Sequence, residues 1–223
     1  MEPMNGNEHN NVYADVCADV CVVPPTLAEF ALLAYERHDR AHNIEHVYRV
    51  LDYARKIVIG ERIVMTAVEA KELPYAILLH DARDHKLVNK GICLSAEDIR
   101  RFLHSELGES SAEKILVMHT RCSWSNRKTS ECLPTSDWMR RVLQDADWLD
   151  ALGDIGIERS EDYARDYGAN DEEVIIHTRA HILDKLLLIP KEFTYETSRQ
   201  IAADCGLIDP LNRYLVNGQT PRK

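Results

Sequence analysis

From Pro24 onward apolar residues recur three and four apart, and no stretch alternates with the period of two that marks a half-buried strand. The pattern predicts helices over about 26–38, 43–59, 73–79, 95–107, 110–121, 137–152, 172–189 and 195–204. Thr26 with Glu29 reads as a capping box, and Ser95 with Asp98 and Ser110 with Glu113 as further helix starts. The segment 43–59 carries a stripe of Ile44, Val47, Leu51, Ala54 and Val58. The run Leu73 to Leu79 is short and apolar, and alone it fits a buried strand or a buried helix. Its leucines and helical neighbours favour the helix, with Pro74 near an N-terminus or at a kink. Residues 122–136 are polar and read as a loop, Pro190 stops the segment 172–189, and Gly206 ends the last helix. Residues 1–23 lack periodicity and read as a flexible arm, 24–208 as one domain, and 209–223 as a tail. The expected fold is an all-α bundle around one core.

Composition narrows the function. Apolar residues make up 45% of 223, enough for a sizeable core, and the formal net charge is −10. Such a surface disfavours non-specific binding to nucleic acid or an anionic membrane, and a phosphate-bearing substrate then needs a local patch of positive charge. No apolar stretch approaches the roughly 20 residues of a membrane span, and the N-terminus lacks a basic-then-apolar leader. Six sparse cysteines do not form a disulfide framework, so the expectation is a reduced, intracellular, cytoplasmic protein. Cys17 and Cys21 could share a helix face as metal ligands, but two thiols alone rarely make a zinc site.

Four groups of residues carry chemistry. His42 and His46 stand at i and i+4, with His46 at the border of the apolar arc. His80-Asp81 closes the most apolar segment of the chain. Asp145, Asp147 and Asp150 are interleaved with bulky residues, and His119 shares a face with Ile115 and Cys122. Each alone has a bland reading: a hydrogen-bonded core histidine, a chance dipeptide, a capped helix start. Together they bring imidazoles and carboxylates into an apolar setting, where an unpaired carboxylate is costly without a cation or a hydrogen-bond partner. Such mixed donors suit Mn, Fe, Co, Ni or Zn.

The ordered set resembles the HD superfamily, whose signature is a histidine, then a His-Asp pair, then a distal aspartate on helices of an α-bundle. Ala41-His-Asn-Ile-Glu-His-Val-Tyr-Arg-Val50 is similar to its first helix, and Leu78-Leu-His-Asp-Ala-Arg-Asp-His-Lys86 to its His-Asp segment. Gln144-Asp-Ala-Asp-Trp-Leu-Asp-Ala-Leu-Gly153, followed by Gly156-Ile-Glu-Arg159, is similar to the distal aspartate and the turn after it. His181 to Lys185 and Thr197 to Ala202 resemble the C-terminal helices of a branch of small stand-alone phosphohydrolases. The resemblance covers roughly residues 30–205.

It implies His46, His80, Asp81 and Asp145 as ligands of one divalent metal, manganese first, with Co, Ni, Fe, Zn or Mg as alternatives. It implies Asp84 as the residue that orients or deprotonates the attacking water. Lys86, Arg49 and Lys185 are candidate phosphate-gripping cations. His42 and His181 are candidate pocket residues or partners that orient the ligands. Where the branch often has His or Asn before a Ser-aromatic-Ser motif, this chain has Cys122, and His119 one turn earlier could substitute. The implied activity is metal-assisted hydrolysis of a phosphoester or phosphoanhydride bond in a small phosphorylated molecule, a nucleotide foremost. Two rivals stand beside it: a di-iron oxygenase that would enlist His104 and His119 for a second metal, and a non-catalytic module that binds metal or nucleotide.

Overall fold

A computed structural model of the protein describes residues 21–36, 38, 43–82, 94–126 and 137–218, and among these residues every regular element is a helix. The elements that position the site are α1 (Pro25–Tyr35), α2 (Ile44–Gly60), α3 (Ala67–Leu78), α4 (Ala96–Leu107), α5 (Glu109–His119) and α6 (Asp137–Asp150). They continue through α7 (Gly153–Asp166), α8 (Asp171–Asp184), α9 (Ile189–Glu192), α10 (Glu196–Asp204) and α11 (Asp209–Asn217).

The centre of the bundle is the packing of α2 on α6. Successive turns of α2 bury Val47, Val50, Leu51, Ala54, Ile57 and Val58, while α6 answers with Met139, Val142, Leu143, Ala146 and Leu149. Helix α3 is buried nearly all round from Glu72 to Leu78, so it runs through the core instead of along its edge. Pro74 lies inside this helix, past its first turn. Helices α4 and α5 pair with each other, α5 also covers α3, and α7 and α8 pair on the other flank.

The expected all-helical architecture stands, and several boundaries change for identifiable reasons. Thr26 does not cap α1: Pro24 and Pro25 open that helix, and the Thr26 hydroxyl donates to Glu106 2.9 Å away. The capping box forms instead at α3, where Thr66 and Glu69 exchange side-chain and backbone hydrogen bonds. Ser95 caps α4 as expected, but α5 starts one residue before Ser110, with Gly108 at its N-cap. The segment 172–189 is broken: α8 ends at Asp184, and a short 3-10 turn leads to α9, in whose first turn Pro190 fits without losing a helical donor.

Helix α7 was hidden by its composition, since two glycines and seven charged residues leave it only a thin apolar stripe. The expected tail is also helical in part. Leu211 and Tyr214 of α11 are buried, α11 packs on α7 and α8, and the Tyr214 hydroxyl donates to Glu161. Of the expected arm, Cys21 is buried and its carbonyl accepts from Arg55.

Candidate metal centre

His46 and His80 reach one point from two helices. Asn43 caps α2 by accepting the backbone N–H of His46 at 2.9 Å, which fixes His46 in the first turn with its side chain fully buried. His80 follows the C-terminus of α3, whose packing aims it at α2 and α6. The two rings meet edge to face, 5.3 Å between centroids. The Nε2 atoms of both are buried and without a hydrogen-bond partner.

The partners on the far side of each ring explain why Nε2 is the free atom. Nδ1–H of His46 donates to Asp150 Oδ2 at 2.7 Å, and Nδ1–H of His80 donates to the Ile77 carbonyl at 2.7 Å. With Nδ1 protonated in each neutral ring, Nε2 carries a lone pair directed into the site. Facing these lone pairs are two carboxylates. Asp81 Oδ2 lies 3.4 Å from His46 Nε2 and 3.6 Å from His80 Nε2. Asp147 Oδ1 lies 3.5 and 3.7 Å from the same two nitrogens. The ligand atoms of His46, His80 and Asp81 all fall within 4.8 Å of one another, a group that could hold a metal ion.

The electrostatics favour positive charge at that point. Burial opposes a charged His80, but Asp81, Asp147 and the Ile77 carbonyl outweigh it and raise the imidazole to about 9. Burial likewise works against ionised Asp147, and the two histidines overcome it, holding that carboxyl below its ordinary range. Four buried or half-buried ligand groups converge here. A divalent ion would satisfy both lone pairs and both carboxylates at once.

The structure corrects the aspartate expected to complete the set. Asp145 and Asp147 are two residues apart on α6, so their side chains leave the helix about 200° apart. Only Asp147 faces the histidines. Asp145 turns the other way and accepts from the backbone N–H groups of Thr194 (3.1 Å) and Tyr195 (3.0 Å) and from the Ser198 hydroxyl (2.8 Å). It ties the start of α10 to the core. Asp147 and Asp150, three apart, share a face, and this spacing was the available signal for choosing Asp147.

Other expected residues also find their places. Arg49 lies one turn after His46, but it grips Asp150 through Nε at 2.6 Å and Nη2 at 3.0 Å. His119 donates through Nε2 to the Ala76 carbonyl at 2.8 Å, joining α5 to α3. Burial, offset in part by that carbonyl, lowers its imidazole to about 4. His104 contacts Glu113 at 3.1 Å, so it too is engaged away from the histidine pair. His181 lies half-buried on α8 with its ring parallel to His177, and Lys185 caps the C-terminus of that helix. His42, Asp84 and Lys86 lie outside the described residues, as does Cys17. Cys122 is buried with its thiol donating to the His119 carbonyl, and burial pushes its pKa up, as it pushes that of Cys21 to about 12.

Arg159, at the end of the turn motif that follows the distal aspartates, also reaches this layer. The loop from α6 to α7 is tight: Gly153 takes φ +69°, and a Cβ on Gly156 would overlap the Ala151 carbonyl. This close turn folds α7 back so that Arg159 reaches Asp150 Oδ2 at 3.4 Å. Asp150 thus receives His46 and two guanidinium groups. Burial raises its pKa, but His46 and Arg49 prevail and hold it at about 2.

Fold and site together define an all-helical protein with two histidines and two carboxylates gathered where a divalent metal could sit. No family model matches the chain. YpgQ of Bacillus subtilis strain 168 is 30% identical over 165 residues, covering 73% of this chain and 77% of the relative, and the chain belongs to the family of that protein. A crystal structure of YpgQ matches with a TM-score of 0.55 at 26% identity, over 77% of this chain and 84% of that one. YpgQ in complex with ADP matches with a TM-score of 0.60 at 24% identity, over 85% and 93%. A Lactobacillus plantarum protein, 20% identical, shares the fold with a TM-score of 0.67 over 87% and 96%. No helix among the described residues is long and apolar enough to cross a membrane.

Proposed function

We propose that this protein is a metal-dependent phosphohydrolase of the HD superfamily, acting on a phosphoester or phosphoanhydride bond of a nucleotide. One observation carries the reading: the buried, partnerless Nε2 atoms of His46 and His80 face oxygens of Asp81 and Asp147 at 3.4–3.7 Å. Neutral imidazoles and carboxylates suit a transition metal better than Mg or Ca, with manganese the first choice. When bound, the ion supplies Lewis acidity, lowering the pKa of a water and polarising a phosphoryl oxygen.

The chain's own residues do the rest. Asp150 and the Ile77 carbonyl fix the rings of His46 and His80 with Nε2 toward the site. Asp81 and Asp147 are about a fifth to a quarter exposed, while the side chains of His46 and His80 are buried. The resemblance assigns the proton of the attacking water to Asp84. A nucleotide is favoured as substrate because the related YpgQ crystallised in complex with ADP, and the branch that the sequence resembles includes enzymes acting on nucleotides.

The test is phosphate or pyrophosphate release from a panel of nucleoside mono-, di- and triphosphates. Wild type loaded in turn with Mn, Co, Ni, Fe and Zn is assayed beside Asp81→Ala. Release by the wild type, falling at least a hundredfold in the variant, is expected. Full metal occupancy with ADP binding but no release would replace the reading with a binding module, and two irons per chain with oxygen uptake would replace it with an oxygenase.

A further inference from the structure

Arg49 and Arg159 both reach Asp150, but on unequal terms. Arg49 holds both oxygens, at 2.6 and 3.0 Å, and Oδ2 also accepts from His46 at 2.7 Å. Three short hydrogen bonds leave this carboxylate little to offer Arg159, whose Nη1 stands at 3.4 Å from Oδ2. Its other neighbour is His46 Nδ1 at 3.3 Å, an atom already engaged with Asp150. The guanidinium has no further partner among the described residues, and its side chain is 19% exposed.

Charge leads the same way. Asp81 and Asp147 together match one divalent ion. Behind them Asp150 faces two guanidiniums, with Glu45 as a further anionic neighbour of Arg49. In a chain with a formal charge of −10, two guanidiniums beside the metal centre are a local concentration of positive charge. Arg159 lies 3.3 Å from His46 Nδ1, stands on a different helix from every proposed ligand, and keeps its side chain 19% exposed. Planar donors of this kind suit a phosphate oxygen.

Resting on the reading above, we infer that Arg159 is the substrate-binding cation of this site. It takes a non-bridging oxygen of the phosphate next to the one under attack, whereas Arg49 is the positioning residue that keeps Asp150 and His46 in place. The expected preference is for substrates with at least two phosphates in series, because the metal centre and Arg159 each require one.

The test compares wild type, Arg159→Gln and Arg159→Lys as full-length, metal-loaded proteins. Metal content is read by elemental analysis, and ADP and inorganic pyrophosphate are titrated by calorimetry. Arg159→Gln should keep its metal and lose about 10- to 100-fold in affinity for both ligands, the range for a charge-assisted hydrogen bond. Arg159→Lys should recover part of that loss. Three results would overturn the inference: ADP affinity within twofold of wild type in Arg159→Gln, weaker ADP but unchanged pyrophosphate, or loss of the metal itself. Phosphate release fails separately. A wild type that binds metal and ADP without turnover removes the hydrolase reading and leaves the binding role of Arg159 to this comparison.

Discussion

Replacing Asp145 or Asp147 with alanine removes the same group two residues apart, yet the two variants should fail in opposite ways. Asp145→Ala leaves two backbone N–H groups and one hydroxyl without their acceptor. Thr194 is exposed and Tyr195 half-buried, so water replaces part of what is lost there, while Ser198 is buried. Taking about 1 kcal/mol for each hydrogen bond gives a loss of about 3 kcal/mol. In a chain of this size that lowers Tm by about 6–12 °C. Metal content should not change.

Asp147→Ala behaves differently. Among the described residues its carboxylate accepts no hydrogen bond from the backbone, and it shares the site with Asp81, so the metal-free variant should melt within about 2 °C of wild type. Its metal affinity should drop at least tenfold. Thermal melts with and without added metal, together with elemental analysis, read both quantities. If Asp145→Ala lost the metal while Asp147→Ala kept it, the assignment made from the geometry of α6 would be refuted.

Two further outcomes follow from the residues around the histidines. Asp150→Asn should weaken metal binding about 10- to 100-fold while the helical circular dichroism is retained, because the carboxylate orients His46 and raises its basicity; unchanged affinity would show that Asp150 only joins helices. His119 titrates at about 4 in the fold against an ordinary value of 6.5, so the unfolded chain takes up its proton first. Its contribution to stability is therefore complete above about pH 6.5 and is lost as pH falls toward 4, by about 1–3 kcal/mol. His119→Gln, which can still donate to the Ala76 carbonyl, should flatten this part of the pH–stability curve, and an unchanged slope would exclude His119 as its source.

Much of this was legible in the sequence because helices announce themselves through spacing. The stripe from Ile44 to Val58 is buried as its period requires, and the His-Asp pair at the end of an apolar run lies at the centre of the site. What could not be read from spacing was direction. Asp145 and Asp147 flank the same alanine, and beyond the face that Asp147 shares with Asp150 it is the rotation of α6 against α2 that separates a helix tie from a site carboxylate. Arg49 was legible as a cation near His46, but its capture by Asp150, a hundred residues away, depends on that same packing. Arg159 lay hidden because α7 has too thin an apolar stripe to predict. Its approach to the site depends on the space left free at Gly156.

His46, His80, Asp81 and Asp147 are expected to hold one divalent metal together, and elemental analysis of the purified protein decides whether they do. Wild type and His80→Ala are each incubated with Mn, Co, Ni, Fe or Zn and freed of unbound ion. About one transition-metal ion per wild-type chain, lost in His80→Ala, is the predicted result. A wild type that retains none of these ions, or a variant that retains as much as wild type, would contradict the account.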